Sequence, residues 1–276
     1  MDKISPKEAV ALSECLNKNT YISNPFYLTL NCFAEEKNGE KVVYEKDITD
    51  DKIKLLFLPK KLKNIINQPI SAAFDEDIQQ LKKLKIKIKR RTLFGYEYIY
   101  KTSDFIYMLG AQFRSLRKSV NRFQKEYSFE VKFEYPNSKI INFLKLWAEN
   151  KNLTNKSELT KKSFDDDLDA CVKELDLLEY IPHKKIFIEI NKELAGFSIF
   201  LKLHSDFWVA LMQKVDYRYY GLSRFLYHLK AKEMEGVEFF TTGASAQDPE
   251  LTNFKESLQP IARKPIYVLE LGDKVD

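Results

Sequence analysis

The order of hydrophobic patterns in the C-terminal half constrains this chain most. Residues 185–190, KIFIEI, alternate apolar and polar side chains, the period of a half-buried strand. NKEL follows as a turn. AGFSIFLKL reads as a second strand, and FWVALMQKV as a third after the short corner HSD. Leu222, Phe225, Leu226 and Leu229 then recur at i, i+3, i+4 and i+7, so a helix is expected to begin near Gly221. VEFFTT predicts a short strand. PELTNFKESLQ predicts a helix with Pro249 in its first turn and Asp248 as its cap. PIYVLEL closes the series as a strand. Three strands, helix, strand, helix, strand is a mixed α/β (α+β) arrangement.

Upstream the pattern continues. SFEVKFEY predicts a strand, and SKIINFLKLWAENKN and SFDDDLDACVKELDLL predict two helices. The acidic run Asp165 to Asp169 reads as the first turn of the second helix, where carboxylates complement the helix dipole. In YMLGAQFRSLRKSVNRFQKEY, Phe113, Leu116, Val120 and Phe123 share one helix face. Arg114, Lys118, Arg122 and Lys125 lie opposite, so the helix carries a cationic outer face. In the first hundred residues PKEAVALSECLNK and AAFDEDIQQLKKL read as helices, and KIKLLFLP and KIKIKRR as strands. Lys85, Lys87 and Lys89 would line one face of the latter strand. No Gly/Ser linker divides the chain, and the order of patterns places a boundary near residue 127, giving domains 1–127 and 128–276.

Composition excludes several classes. A net charge of +5 permits an anionic partner without the clustered excess usual in a dedicated nucleic-acid domain. Cys15, Cys32 and Cys171 have no metal-ligand spacing, and no Cys/His/acid cluster suggests a metal site. The N-terminus lacks the apolar core of a signal peptide, and no run of about 18 apolar residues exists. The expectation is a cytoplasmic chain with reduced thiols and no transmembrane helix.

The corner YRYYGLSRF, between the third strand and the helix, is the clearest candidate for chemistry. The first N–H groups of a helix carry the positive end of its dipole and favour an anion. Gly221 would let backbone approach a ligand closely, and Arg218 would add a bidentate phosphate contact. The plain alternative is a tight strand-to-helix turn. Arg218, Tyr219, Tyr220, Gly221, Leu222 and Ser223 are therefore the candidate phosphate-binding residues.

The strand and helix order at 128–271 resembles the GNAT acyltransferase fold, whose main helix is preceded by Q/R-x-x-G-x-G/A. Arg218 and Gly221 match, with Ser223 where Gly or Ala is usual. SDFIYMLGAQFRSLRKSVNRFQKEY is similar to a signature of the phosphatidylglycerol lysyltransferase C-terminal-domain family, through Leu109, Gly110, Arg117, Lys118, Asn121 and Phe123. NPFYLTLNCF looks like that family's early aromatic region, and TNFKESLQPI resembles a late segment through Lys255, Ser257 and Pro260.

The resemblance implies two tandem GNAT-like domains, a relation to Fem-type aminoacyl transferases, and acyl transfer to an amine by direct attack. The donor would be acyl-CoA or aminoacyl-tRNA as a co-substrate, with no permanently bound cofactor. The acceptor amine would belong to a small molecule, a peptide or a lipid head group. The F-K pair of the Fem-type enzymes maps to Lys255, a cation for an oxyanion or a donor phosphate. GNAT enzymes often keep a carboxylate at the position of Glu189, the candidate base; Asp216 is the other. With a tRNA donor, Arg114, Arg117, Lys118, Arg122 and Lys125 would meet phosphates. The competing class is a non-catalytic module binding peptide or RNA on the same scaffold.

Overall fold

The computed structural model describes residues 1–16, 18–46, 52–61, 68–154, 158–245 and 248–274. Strand β1 (Asp2–Lys3) and helix α1 (Pro6–Leu16) open the chain, followed by one 3-10 turn (Tyr21–Ser23) and α2 (Pro25–Asn31). Pro25 at the first position and Asn24, whose side chain accepts from the Tyr27 N–H at 3.0 Å, start α2. β2 (Cys32–Lys37) and β3 (Glu40–Lys46) form a hairpin around Asn38-Gly39, with φ of +53° and +69°. β4 (Ile53–Leu55), β5 (Ile70–Ala73), α3 (Asp75–Lys83) and the long β6 (Ile86–Lys101) follow. Next come α4 (Thr102–Tyr107), α5 (Arg114–Glu126), β7 (Glu130–Lys132), α6 (Asn137–Thr154) and α7 (Glu158–Asp176). The predicted C-terminal series is present in order. It comprises β8 (Lys184–Ile190), β9 (Glu193–His204), β10 (Phe207–Val215), α8 (Leu222–Glu233), β11 (Phe239–Ala244), α9 (Pro249–Ser257) and β12 (Ala262–Lys274).

The chain forms two compact units, residues 1–99 with 243–276, and residues 100–242. The boundary expected near residue 127 falls inside the second unit, between α5 and β7. Two physical reasons account for this. The apolar face of α5 packs against α8, with Phe123 and Phe225 ring centroids 4.9 Å apart. And β12 does not stay with the strands that precede it; it runs antiparallel to β6, from Ala262↔Ile99 to Lys274↔Ile86.

In the first unit the strands lie in the order β1-β2-β3-β4-β5-β12-β6, antiparallel except for β4 beside β5. One apolar cluster joins Leu12 of α1, Leu28 of α2, Leu56 and Ile266. Another joins Ile78 and Leu81 of α3 to Tyr44, Ile70 and Leu269.

In the second unit the order is β11-β10-β9-β8-β7. β10 pairs antiparallel with β9 along its length, but parallel with β11 only over Phe207–Val209. Asn191 and Lys192, with φ of +53° and +66°, turn β8 tightly into β9. Trp208 stacks on Phe240 at 4.2 Å, and its Nε1–H donates to Thr102 Oγ1 at 3.0 Å. The mixed sheets, flanked by helices, give the α/β class expected from sequence.

Phe113, Leu116, Val120 and Phe123 are all buried, and Arg114, Lys118, Arg122 and Lys125 all exposed, as their spacing predicts. The acidic run at 165–169 is different. It sits inside α7 rather than in its first turn, and Asp167 forms an ion pair with Lys214 of β10.

Gly221 stands immediately before α8 with φ of +88°. A Cβ there would lie 2.4 Å from the carbonyl oxygen of Ser119 in α5 and 3.2 Å from Phe123 Cβ. Both backbone geometry and helix approach exclude a side chain. Gly221→Ala should therefore lower folding stability by about 3 kcal/mol, read as a fall in urea midpoint at unchanged m-value.

Candidate functional site

Lys255 lies in the last turn of α9, which Asp248 starts by accepting the Leu251 N–H at 2.9 Å. The structure buries Lys255, at 4 % exposure. Its Nζ donates to the carbonyls of Gly243 at 2.7 Å and Ala244 at 2.9 Å. The Tyr98 ring centroid is 5.9 Å away.

Glu97, fully buried, stands in the same neighbourhood and acts electrostatically on the amine. One Glu97 oxygen accepts from Thr20 Oγ1, the other from the Tyr21 N–H at 2.5 Å. Burial pushes the Lys255 amine down to about 8, against the upward pull of the Glu97 charge. Gly243 has φ of +75°, and a Cβ there would meet Tyr21 Cγ at 3.1 Å. Every part of this constellation belongs to the first unit.

The predicted donor-binding corner belongs to the second unit. Arg218 is mostly exposed, and its guanidinium pairs with Asp216, Nη2 to Oδ2 at 2.5 Å and Nε to Oδ2 at 2.8 Å. That hydrogen bond and charge hold Arg218 above its ordinary pKa. Asp216 also accepts the Arg218 N–H at 3.0 Å, so both candidates close one local loop. Tyr219 packs edge-on against Tyr127 at 5.3 Å. Leu222 is core, and Ser223 Oγ accepts from Gln213 Nε2 at 2.8 Å. Gly221 serves the contact with Ser119. Tyr220 is exposed beneath Arg122, whose guanidinium lies 4.4 Å from its ring centroid. A hydrogen bond with Ser119, then the charges of Arg224, Arg122 and Lys118, pull its phenol below the ordinary range.

Glu189 of β8 accepts from Lys132 Nζ at 2.6 Å and Tyr135 OH at 3.0 Å. The Lys132 hydrogen bond, with that of Tyr135, holds its carboxyl below the usual range, which makes it a weak base. Among the α5 cations, Arg117 is not an outward group. Its Nη1 donates to the Met108 carbonyl, where Met108 and Gly110 turn the chain with positive φ. Among the described residues no group of three or more His, Cys, Asp or Glu could hold a metal. No helix there is long and apolar enough to cross a membrane.

Sequence reasoning missed Glu97, Thr20, Tyr21 and Tyr98. A signal existed for Glu97: in LFGYEYIY it is the single charge within an aromatic strand, and such a carboxylate is buried only with partners.

The mixed sheets flanked by helices define the class of fold, α/β. The family follows from sequence. The profile described as phosphatidylglycerol lysyltransferase, C-terminal, matches residues 73–269, and the chain belongs to that family. Comparison with curated proteins found no matching relative. Among solved structures the chain is similar to a conserved protein of unknown function from Bacteroides thetaiotaomicron. That match has TM-score 0.83 at 15% identity over 98% of this chain and 99% of that one. It is similar also to L-PGS from Bacillus licheniformis, with TM-score 0.65 at 14% identity over 98% and 92%. FemX follows with TM-score 0.57 at 10% identity over 95% and 96%. At these identities the likeness is one of fold.

The burial of Lys255 makes stability depend on pH. Its amine titrates near 10.5 unfolded and about 8 folded, so between those values the unfolded chain holds more protons. Stability contributed by this group is thus full above 10.5 and lost as pH falls through 8. Relative to Lys255→Met, the parent should gain about 3 kcal/mol across this window, measured by urea unfolding at about pH 7.5 and about pH 10.5.

Proposed function

We propose that this acyltransferase moves an aminoacyl group from aminoacyl-tRNA to an amine, with Lys255 as the electrostatic centre. The observation that carries the reading is the burial of the Lys255 ammonium on the Gly243 and Ala244 carbonyls. The amine nitrogen attacks the ester carbonyl carbon, and a C–N bond forms as the carbonyl oxygen becomes an oxyanion. The C–O bond then breaks, the ribose hydroxyl leaves with a proton, and the attacking nitrogen loses one. A cation fixed in advance in a low-dielectric site stabilises that oxygen without reorganising during the step. With a value of about 8, Lys255 is still mainly charged at neutral pH.

Two further features favour a tRNA donor over acyl-CoA. The matched family is named for a lysyltransferase. And the Cβ side of Gly221 lies against the Ser119 carbonyl of α5, a packing role that accounts for the glycine without a CoA pyrophosphate. Arg114, Lys118, Arg122 and Lys125 form an exposed stripe suited to phosphates, with Arg117 holding the turn before it. A donor of this kind goes with a cytoplasmic location. The acceptor class stays an amine on a small molecule, peptide or lipid head group.

The test is transfer from tRNA charged with labelled amino acid to hydroxylamine as a surrogate amine, with acetyl-CoA in a parallel arm. Label should move from tRNA and not from acetyl-CoA, and Lys255→Ala should slow single-turnover transfer about 100-fold or more with retained folding. Transfer from acetyl-CoA alone, or an unchanged rate in Lys255→Ala, contradicts the reading.

A further inference from the structure

A cavity of about 880 Å³ opens within the second unit, walled by α6, the β8–β9 turn and the corner after β10. Its size falls in the range of small-molecule sites. Helix α6 gives it one continuous face: Lys139, Asn142, Phe143, Leu146, Trp147 and Asn150 recur at helical spacing along one side. The opposite wall is Lys192, Glu193 and Leu194 from the tight turn, with Val215 to Arg218 completing the rim.

The wall is built rather than incidental. Lys214 of β10 lies 4.3 Å from the Trp147 ring centroid and pairs with Asp167 of α7, so the indole is held from α7 and β10 together. The positive φ of Asn191 and Lys192 fixes how the turn presents Lys192 and Glu193. Tyr135 stacks on Phe187 at 5.4 Å, and Lys139 lies 5.7 Å from the Tyr135 ring centroid.

The chemistry of the lining selects a ligand. Phe143, Trp147, Leu194 and Val215 ask for an apolar side chain. Asp216 and Arg218 pair with each other within the lining, and Lys139 and Lys192 against Glu193 are its remaining charges. Two lysines suit one carboxylate, and Glu193 suits one ammonium group. Asn142 carries both a donor and an acceptor, the complement of a peptide group. Counted whole, the lining carries Lys139, Lys192 and Arg218 against Glu193 and Asp216, so a simple amine meets a net positive wall and a simple anion leaves Glu193 without an ammonium partner.

We propose that this cavity binds a short zwitterionic peptide, its free amino end at Glu193, its carboxylate at Lys139 and Lys192, and an apolar side chain on Trp147 and Phe143. The site stands on the cavity alone and does not require the transfer reading, since Lys255 belongs to the other unit.

Calorimetric titration of the full chain tests it, with alanyl-leucine, its N-acetyl form, its C-terminal amide and decanoate as the probes. Alanyl-leucine should bind, and each blocked form should bind about tenfold or more weakly. Glu193→Gln should erase the penalty of N-acetylation while keeping that of amidation. Glu193 is exposed, so this variant tests charge rather than folding. Quenching of Trp147 fluorescence by alanyl-leucine should vanish in Trp147→Phe, because the remaining Trp208 is fully buried. No binding of alanyl-leucine, equal binding of the blocked forms, or tighter binding of decanoate overturns the assignment. Loss of transfer activity in the assay above with peptide binding intact would overturn only the transfer reading.

Discussion

The ammonium of Lys255 is the constraint around which the first unit's candidate site is organised. A buried cation is tolerated only when acceptors replace the water it loses. Here the Gly243 and Ala244 carbonyls supply two, and Glu97 supplies charge. Each acceptor makes a demand in turn. Gly243 must adopt a left-handed conformation and leave room for Tyr21. Glu97, fully buried, takes donors from Thr20 and the Tyr21 backbone. Four separate stretches of sequence therefore converge because one long cationic side chain turns inward.

The corner before α8 meets a different demand. The same nine residues that fit a phosphate-binding motif also fit a close helix crossing, and the contacts favour the crossing at Gly221 and Leu222. Arg218 and Asp216 close on each other and point to the cavity on the α6 side, whereas Tyr220 and its surrounding cations belong with α5. The stretch is thus divided between two surfaces, which a linear motif cannot express.

Most of the fold was legible where hydrophobic period and punctuation agree. Residues 184–274 carry both, and every element expected there is present. The α5 stripe was legible for the same reason. The first hundred residues were harder because, β6 apart, their strands are short and lack clean alternation, although Asn38-Gly39 is a hairpin signal. The domain boundary was not legible, because the pairing of β12 with β6 joins residues far apart in sequence. The acidic run at 165–169 misled because its role is set by Lys214, a partner that local pattern does not reveal. Of the candidate site, Lys255 was expected through resemblance, while the contacts of Glu97, Thr20 and Tyr21 are ones that only folding creates.

A lysine amine buried on two carbonyls is predicted to control the chemistry of this acyltransferase. Direct titration of the Lys255 amine by NMR, using lysine labelled at Cε and assigned with Lys255→Arg, tests that claim most directly. A midpoint of about 8 is the predicted result. A midpoint near the ordinary 10.5 would mean a solvated side chain, and would contradict the account.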